Sequence, residues 1–336
     1  MNIQTKGTIR QIAFFYALCA VVGVLLSLID FQGIRESLAL GTGGYFENLK
    51  KEWTFSKEDG VNGGLGTGGY IDNLKFGAAF LALFFIFFEY GILKLQRRTD
   101  SYDWKDSGSS FAIYLFNGLL SPLTLIYQFG LLKWVEPYAL FQINDGLIPF
   151  LVTFLLAEGA YYWYHRLSHE VPVLWAIHHT HHSAQTLNLS VAYRLHTLGR
   201  IVSPVTYLPM VYFGFKPEYI LGALAISLVY QFFIHTQTVD KLWVIERSGF
   251  NTPSLHRVHH GRNDWCIDKN YAGVLILWDY IFGTFQREIG PISYGVTTGH
   301  YSYNPVKLML GPLIDWVRGS FARERENANR ASQENP

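Results

Sequence analysis

EGAYYWYHRLSHEVPVLWAIHHTHH, from Glu158 to His182, and SLHRVHHGRND, from Ser254 to Asp264, together hold nine of the twelve histidines in this 336-residue chain. The spacings are His165-x3-His169, His178-x2-His181-His182 and His256-x2-His259-His260. Residues three and four apart share one face of a helix, so each group presents a convergent set of imidazoles. Imidazole suits zinc, copper, iron and nickel. Eight or more nitrogen ligands are too many for one ion, and two metals are the simplest reading. His179 stands outside the pattern, because His178, His181 and His182 repeat the spacing of His256, His259 and His260. It is expected to face away. His300 is read as a satisfied polar residue, while His196 and His235, each at the edge of an apolar segment, are candidates for a ninth and tenth ligand.

Around these motifs the chain is apolar. Aromatic residues make up 16% and charged residues also 16%, and the apolar residues come in blocks long enough to cross a bilayer. A formal charge of +1 argues against a nucleic-acid protein, which would carry a basic stripe. Cys19 and Cys266 are far apart and lack metal-type spacing, which argues against a disulfide framework. The fold expected is all-α: a polytopic membrane helical bundle with a histidine-rich helical cap on the cytoplasmic side.

The first span, Ile12 to Ile29, follows Lys6 and Arg10. It is read as retained, since the run is long for a signal peptide and no small-residue cleavage pattern follows. Further spans are Phe76 to Leu93, Phe111 to Leu132 and Gly146 to Tyr164, the last ending in His165. Shorter runs, Ile201 to Phe215 and Tyr219 to Ile234, form either a hairpin that dips in and returns or two tilted spans. Lys6 and Arg10 share a side with Lys94, Arg97, Arg98 and Lys105, and the positive-inside rule makes that side cytoplasmic. Four crossings then return His165 to it. LGTGGYFENLK (Leu40 to Lys50) recurs as LGTGGYIDNLK (Leu65 to Lys75); two copies read as a duplicated loop, not a solenoid. Gly64-x-Gly66-x-x-Gly69 lacks a preceding strand and is a chance match to a nucleotide-binding pattern. Three regions result: 1–145, membrane spans with the glycine-rich repeat; 146–288, which carries the histidine motifs and which the resemblance described below implies is a catalytic domain; and 289–336. In the last, Lys307 to Phe321 is expected as an interfacial amphipathic helix with Trp316, followed by a polar tail.

HRLSH, HHTHH and HRVHH, with YYWYHR and DKNYAGVLILWDYIFGTF, resemble the fatty acid hydroxylase superfamily, which includes sterol desaturases, sterol methyl oxidases and alkylglycerol monooxygenases. The resemblance runs from Phe150 to Glu288. It implies a membrane-embedded di-iron oxygenase with its histidines at the cytoplasmic surface. The family's ligands fall on His165, His169, His178, His181, His182, His256, His259 and His260, and on His235 in QFFIHT. In YRLH the family's usual His-Pro becomes His196-Thr197, which leaves His196 open as a ligand. Glu158 lies two turns before His165, where relatives carry Asp. It either orients a ligand or is a hydrogen-bonded acid within the bundle. Glu170 resembles an acid of the alkylglycerol monooxygenase branch. Asp268, Asn270 and Asp279 match the family's final segment, as groups supporting the ligands or as loop caps.

The resemblance implies two iron ions, with zinc as a possible substitute, dioxygen and an external electron donor. The chain has neither a CxxCH haem site nor the cysteines for an iron–sulfur cluster. The donor implied is a ferredoxin or cytochrome b5-like protein, or a pterin in the alkylglycerol branch. The substrate implied is a membrane lipid chain or sterol-like ring, with hydroxylation and desaturation both open. Two other classes compete. A metal transporter would place its ligands near the bilayer midplane, and a silent lipid-binding relative would have lost ligands from the motifs.

Overall fold

In a computed structural model, residues 3–28, 83–99, 102–297 and 301–319 are described. The LGTGGY repeat, the first residues of the second span, His300 and the polar tail lie outside them. The apolar blocks fold as α1 (Ile3–Leu28), α2 (83–95), α3 (Trp104–Val135), α4 (Leu147–Glu170) and α6 (Pro217–Ile234). Between and after them come α5 (Pro172–His182), α7 (Pro253–His260), α8 (Leu277–Phe282) and α9 (Pro305–Val317). Among the described residues there are only isolated bridges, Phe250 with Leu275 and Gly261 with Tyr294, and no strand. The architecture is all-α.

Helices α1, α3, α4 and α6 are long and apolar enough to cross a membrane. At about 1.5 Å per residue, α4 is roughly 36 Å long, more than the ~30 Å hydrocarbon core. Their outer faces expose apolar side chains, including Leu119 and Ile126 on α3 and Val229 on α6. Water would penalise such faces and lipid does not. This is an integral membrane protein.

The shorter apolar runs resolve differently from each other. Tyr219 to Ile234 lies within the continuous helix α6. The run from Ile201 is instead broken into Thr197–Val202, a 3₁₀ segment Ser203–Tyr207 and Leu208–Tyr212. Pro204 and Pro209 each begin a new turn there, because proline donates no hydrogen bond to continue a helix. Gly214 then takes a left-handed φ of 94° against the backbone of Phe141, a conformation open to glycine.

Packing gathers the helix ends. The start of α1 meets the end of α4 through Thr8 and Glu170. The end of α2 is tied down by Arg98 Nη1 donating to the Gln237 carbonyl at 3.0 Å. The start of α3 is tied by the Gln185 amide donating to Asp106 at 2.9 Å. These contacts lie at the end where α6 delivers His235. At the other end Lys133 pairs with Glu136 and Glu218, and Lys216 with Asp145. Within the bundle, Gly159 lets α1 and α8 close on α4. A Cβ there would meet the Phe15 ring and lie 2.8 Å from Trp278 Cζ2.

The break between α4 and α5 shapes the site. Val171, ahead of Pro172, is extended with φ −96° and ψ 120°, as a residue before proline prefers. The chain therefore turns at the end of α4, and α5 folds back with its histidines toward His165 and His169. Helix α9 covers α5, with the Leu308 carbonyl accepting from Thr180 Oγ1 at 3.1 Å.

Candidate metal centre

Among the described residues the histidines form two groups. His165, His169, His178, His182 and His259 make one, and His181, His235, His256 and His260 the other. Within each group the ligand nitrogens lie within 4.8 Å of one another. All nine are buried except His178, which is intermediate. On α5, His178 and His182 face the first group and His181 the second; on α7, His256 and His260 face the second and His259 the first. The physical reason is helical phase. At about 100° per residue, positions i and i+4 stand close together around the axis, while i+3 and i+4 stand roughly 100° apart. One His-x2-His-His turn thus serves two centres, and α5 and α7 do so reciprocally.

Backbone carbonyls fix three of the rings. His165 Nδ1 meets the Tyr271 carbonyl at 2.6 Å, His235 Nδ1 the Gln231 carbonyl at 2.6 Å and His259 Nδ1 the Lys269 carbonyl at 3.0 Å. A carbonyl only accepts, so each Nδ1 carries the hydrogen and each Nε2 presents a lone pair inward. His165 Nε2 lies 3.0 Å from His178 Nε2, and His235 Nε2 lies 2.9 Å from His256 Nε2 and 3.3 Å from His181 Nε2. Lone pairs gathered so closely around common points call for a cation, and carbonyl-oriented imidazoles are the usual form of histidine metal ligands. The donor sets, five and four nitrogens with no carboxylate, suit iron or zinc and not magnesium or calcium.

The acidic and amide residues hold the loop that supplies two of these carbonyls, those of Lys269 and Tyr271. Asp279 accepts from the Tyr271 and Ala272 amides, both at 2.8 Å, and from Thr284 Oγ1 at 2.6 Å. Asn270, at a left-handed φ of 56°, donates to the Leu255 and Gln286 carbonyls at 2.9 and 2.7 Å. Glu158 accepts from the Val274 and Leu275 amides at 2.5 and 3.2 Å. It ties α4 to the loop that follows Tyr271 and makes no hydrogen bond to His165. Asp268 Oδ1 lies 3.8 Å from His169 Nδ1, beyond hydrogen-bond reach. Glu170 pairs with Arg166 at 2.7 Å and faces α1.

His196 is brought to neither group. Its Nδ1 accepts from the Leu198 amide at 3.0 Å, capping Thr197–Val202, and its Nε2 donates to the Met309 carbonyl at 3.1 Å. With both nitrogens engaged, the tenth ligand expected there is a helix cap and a tie to α9. His179 also lies outside both groups, packed on Trp175 at 5.8 Å between ring centroids.

Residues 150–284 match the fatty acid hydroxylase family. The chain belongs to the fatty acid hydroxylase superfamily. It is 45% identical over 180 residues to the human alkylglycerol monooxygenase, covering 53% of this chain and 40% of that protein. The Caenorhabditis elegans alkylglycerol monooxygenase is 32% identical over 244 residues, 69% of this chain and 46% of its own length. An ornithine lipid hydroxylase of Rhizobium tropici is 30% identical over 175 residues, 48% of this chain and 46% of its own. The chain thus spans less than half the length of these curated relatives. No solved structure matches it.

All nine grouped histidines of the fatty acid hydroxylase domain lie between 165 and 260, inside the matched region. Burial, followed by neighbouring imidazoles, holds His178, His181, His182, His256, His259 and His260 well below the usual histidine range. Burial takes His235 down to about 4. Neutral rings are the form that binds metal. Nothing in the sequence marks the carbonyls of Gln231, Lys269 and Tyr271, because a backbone acceptor has no side-chain signature. Trp175, whose ring lies 5.1 Å from His169 and 5.6 Å from His182, was also missed. Its place one turn before His178 was the available signal.

Proposed function

We propose that this chain is an oxygen-dependent lipid monooxygenase in which each histidine group holds one iron. The observation that carries this reading is the pair of buried all-imidazole groups with Nε2 lone pairs turned inward by backbone carbonyls. His165, His169, His178, His182 and His259 would hold one ion, and His181, His235, His256 and His260 the other. When bound, iron with dioxygen supplies an oxidant for an unactivated C–H bond. The chain's own part is to fix the ligands, keep the rings neutral and exclude water. Asp279, Asn270 and Glu158 act as positioning residues through the 269–275 loop. Asp268 beside His169, and Glu170 with Arg166, frame the edge of the first group.

The substrate class follows from the relatives' names and from the lipid-facing helices. An alkylglycerol or another polar-headed membrane lipid would enter from the bilayer and reach the groups at the helix ends. Electrons come from outside, from a ferredoxin, a cytochrome b5-like protein or a pterin. The histidine end is assigned to the cytoplasm, since Lys94, Arg97, Arg98 and Lys105 cluster there against Lys133 and Lys216 at the other end. Metal transport is disfavoured, because its ligands belong near the bilayer midplane. The catalytic domain is drawn as 146–288, between the membrane region 1–145 and the 289–336 segment.

Lipid mass spectrometry of cells with and without the protein, grown under heavy dioxygen, tests the reading. A product gaining one labelled oxygen is the expected outcome. Loss of two hydrogens would indicate desaturation, and an aldehyde would indicate ether cleavage. An unchanged lipid profile with altered iron or zinc uptake would replace this reading with transport.

A further inference from the structure

Arg194 is fully buried, with none of its side chain exposed. Its Nη1 donates to Asp106, itself 2% exposed. The Nε and Nη2 atoms are buried and have no hydrogen-bond partner. These two nitrogens share one edge of the guanidinium plane, so the open donors form a parallel fork of the kind that holds two oxygens at once. Buried donors call for acceptors, and two on one guanidinium edge call for a paired one.

The location narrows what that group is. Asp106 also accepts from the Gln185 amide, three residues past His182, so the ion pair is built against the end of α5. Tyr193, next to Arg194 in the chain, packs its ring on Phe232 at 5.5 Å between centroids, three residues before His235. The buried cation thus stands between the end of α5 and the end of α6 that delivers His235. Asp106 compensates it only through Nη1, opposite the open edge. A pair of electron-rich oxygens on the fork would satisfy the donors left open.

We propose that the Nε–Nη2 edge of Arg194 binds a pair of oxygens in the substrate's headgroup, and so places the lipid chain beside the His181, His235, His256 and His260 group. The oxygens are those of a glycerol or of a phosphate ester. The proposal rests on the lipid oxygenase reading and makes Arg194 the residue that selects a polar-headed lipid over a bare chain.

The test is equilibrium binding to the full chain, metal-loaded in detergent. The probes are hexadecylglycerol, its phosphate, and hexadecyl methyl ether, which keeps the chain and the ether but lacks the headgroup. One variant is Arg194→Lys, which keeps the charge and loses the fork. The other combines Arg194→Met with Asp106→Asn, which leaves no buried charge unpaired. The wild type is expected to bind a headgroup probe about tenfold or more tighter than the methyl ether, the scale of one charge-assisted hydrogen bond. Both variants should lose that preference while keeping metal content and affinity for the methyl ether. A stronger preference for the phosphate or for the free glycerol names the source of the oxygens. Three results would overturn the proposal: no headgroup preference in the wild type, preference surviving in the variants (the fork then holding buried water only), or metal lost together with the preference. Failure of the oxygenase reading shows separately, as no oxygen consumption with any probe while the binding preference persists.

Discussion

His181 and His182 are neighbours in sequence yet belong to different groups, and His179 on the same turn belongs to neither. The chemistry of the site is therefore decided residue by residue. His181→Ala removes one of four nitrogens from the second group. The expected result is one metal lost of two, by elemental analysis, together with oxygenase activity. His179→Ala should keep both metals, since its ring packs on Trp175; equal metal loss in the two variants would refute the division. The same rings set a pH dependence. In the folded apoprotein they are held neutral by burial, with His235 at about 4 against an ordinary 6.5. Below 6.5 the unfolded chain therefore binds more protons than the folded one, and stability rises with pH. Stability is fully present above the unfolded value and is lost as pH falls toward the folded one. Metal-stripped protein should melt at a clearly lower temperature near pH 5.5 than near pH 7.5; equal melting points would show that the rings are not held neutral.

At the scale of elements, α1, α3, α4 and α6 were legible because length and apolar content are additive properties of a segment. The run after Ile201 was apolar too, but two prolines set its local structure, and composition alone did not decide between hairpin and tilted span. Spacing told that His178, His181 and His182 share a face, as do His256, His259 and His260. It did not tell that each face is divided between two centres, since that depends on where α4 and His235 arrive from elsewhere in the chain. His196 looked like a ligand by its neighbours in sequence, and its role was decided by a distant contact, the Met309 carbonyl. Glu158 gave the right phase with His165 but is drawn to the amides of Val274 and Leu275. Close approach of elements offers a further test. Gly159→Leu pushes a side chain into Phe15 and Trp278, prying α1 and α8 from α4. A loss of about 1–3 kcal/mol is expected for such overpacking, read as a lower detergent unfolding midpoint. Gly222→Leu, at a site with only an ordinary contact to Phe150, should be much milder. If the two were equally tolerated, the α1–α4 contact would be misassigned.

For the whole molecule, the open question is which side of the membrane the histidine end faces. The folded chain brings the start of α1, the end of α2, the start of α3 and the ends of α4 and α6 together. All histidine ligands thus share one side, whichever it is. The proposed cytoplasmic placement rests on the count of basic residues: translocated loops carry fewer lysines and arginines, and Lys94, Arg97, Arg98 and Lys105 belong to the histidine end. The native cysteines Cys19 and Cys266 are free and fully buried, so an introduced thiol can be read over a low background. Arg262→Cys, exposed just after α7, should react with an impermeant maleimide only after cells are opened. Tyr138→Cys, 66% exposed after α3 at the opposite end, should react in intact cells. The reverse pattern would place the histidines outside, away from cytosolic reductants, and the electron donor would then have to be sought on that side. Reaction of both sites in intact cells would mean that α3 and its neighbours do not cross as a bundle, contrary to the shared end that Asp106 and Gln185 establish.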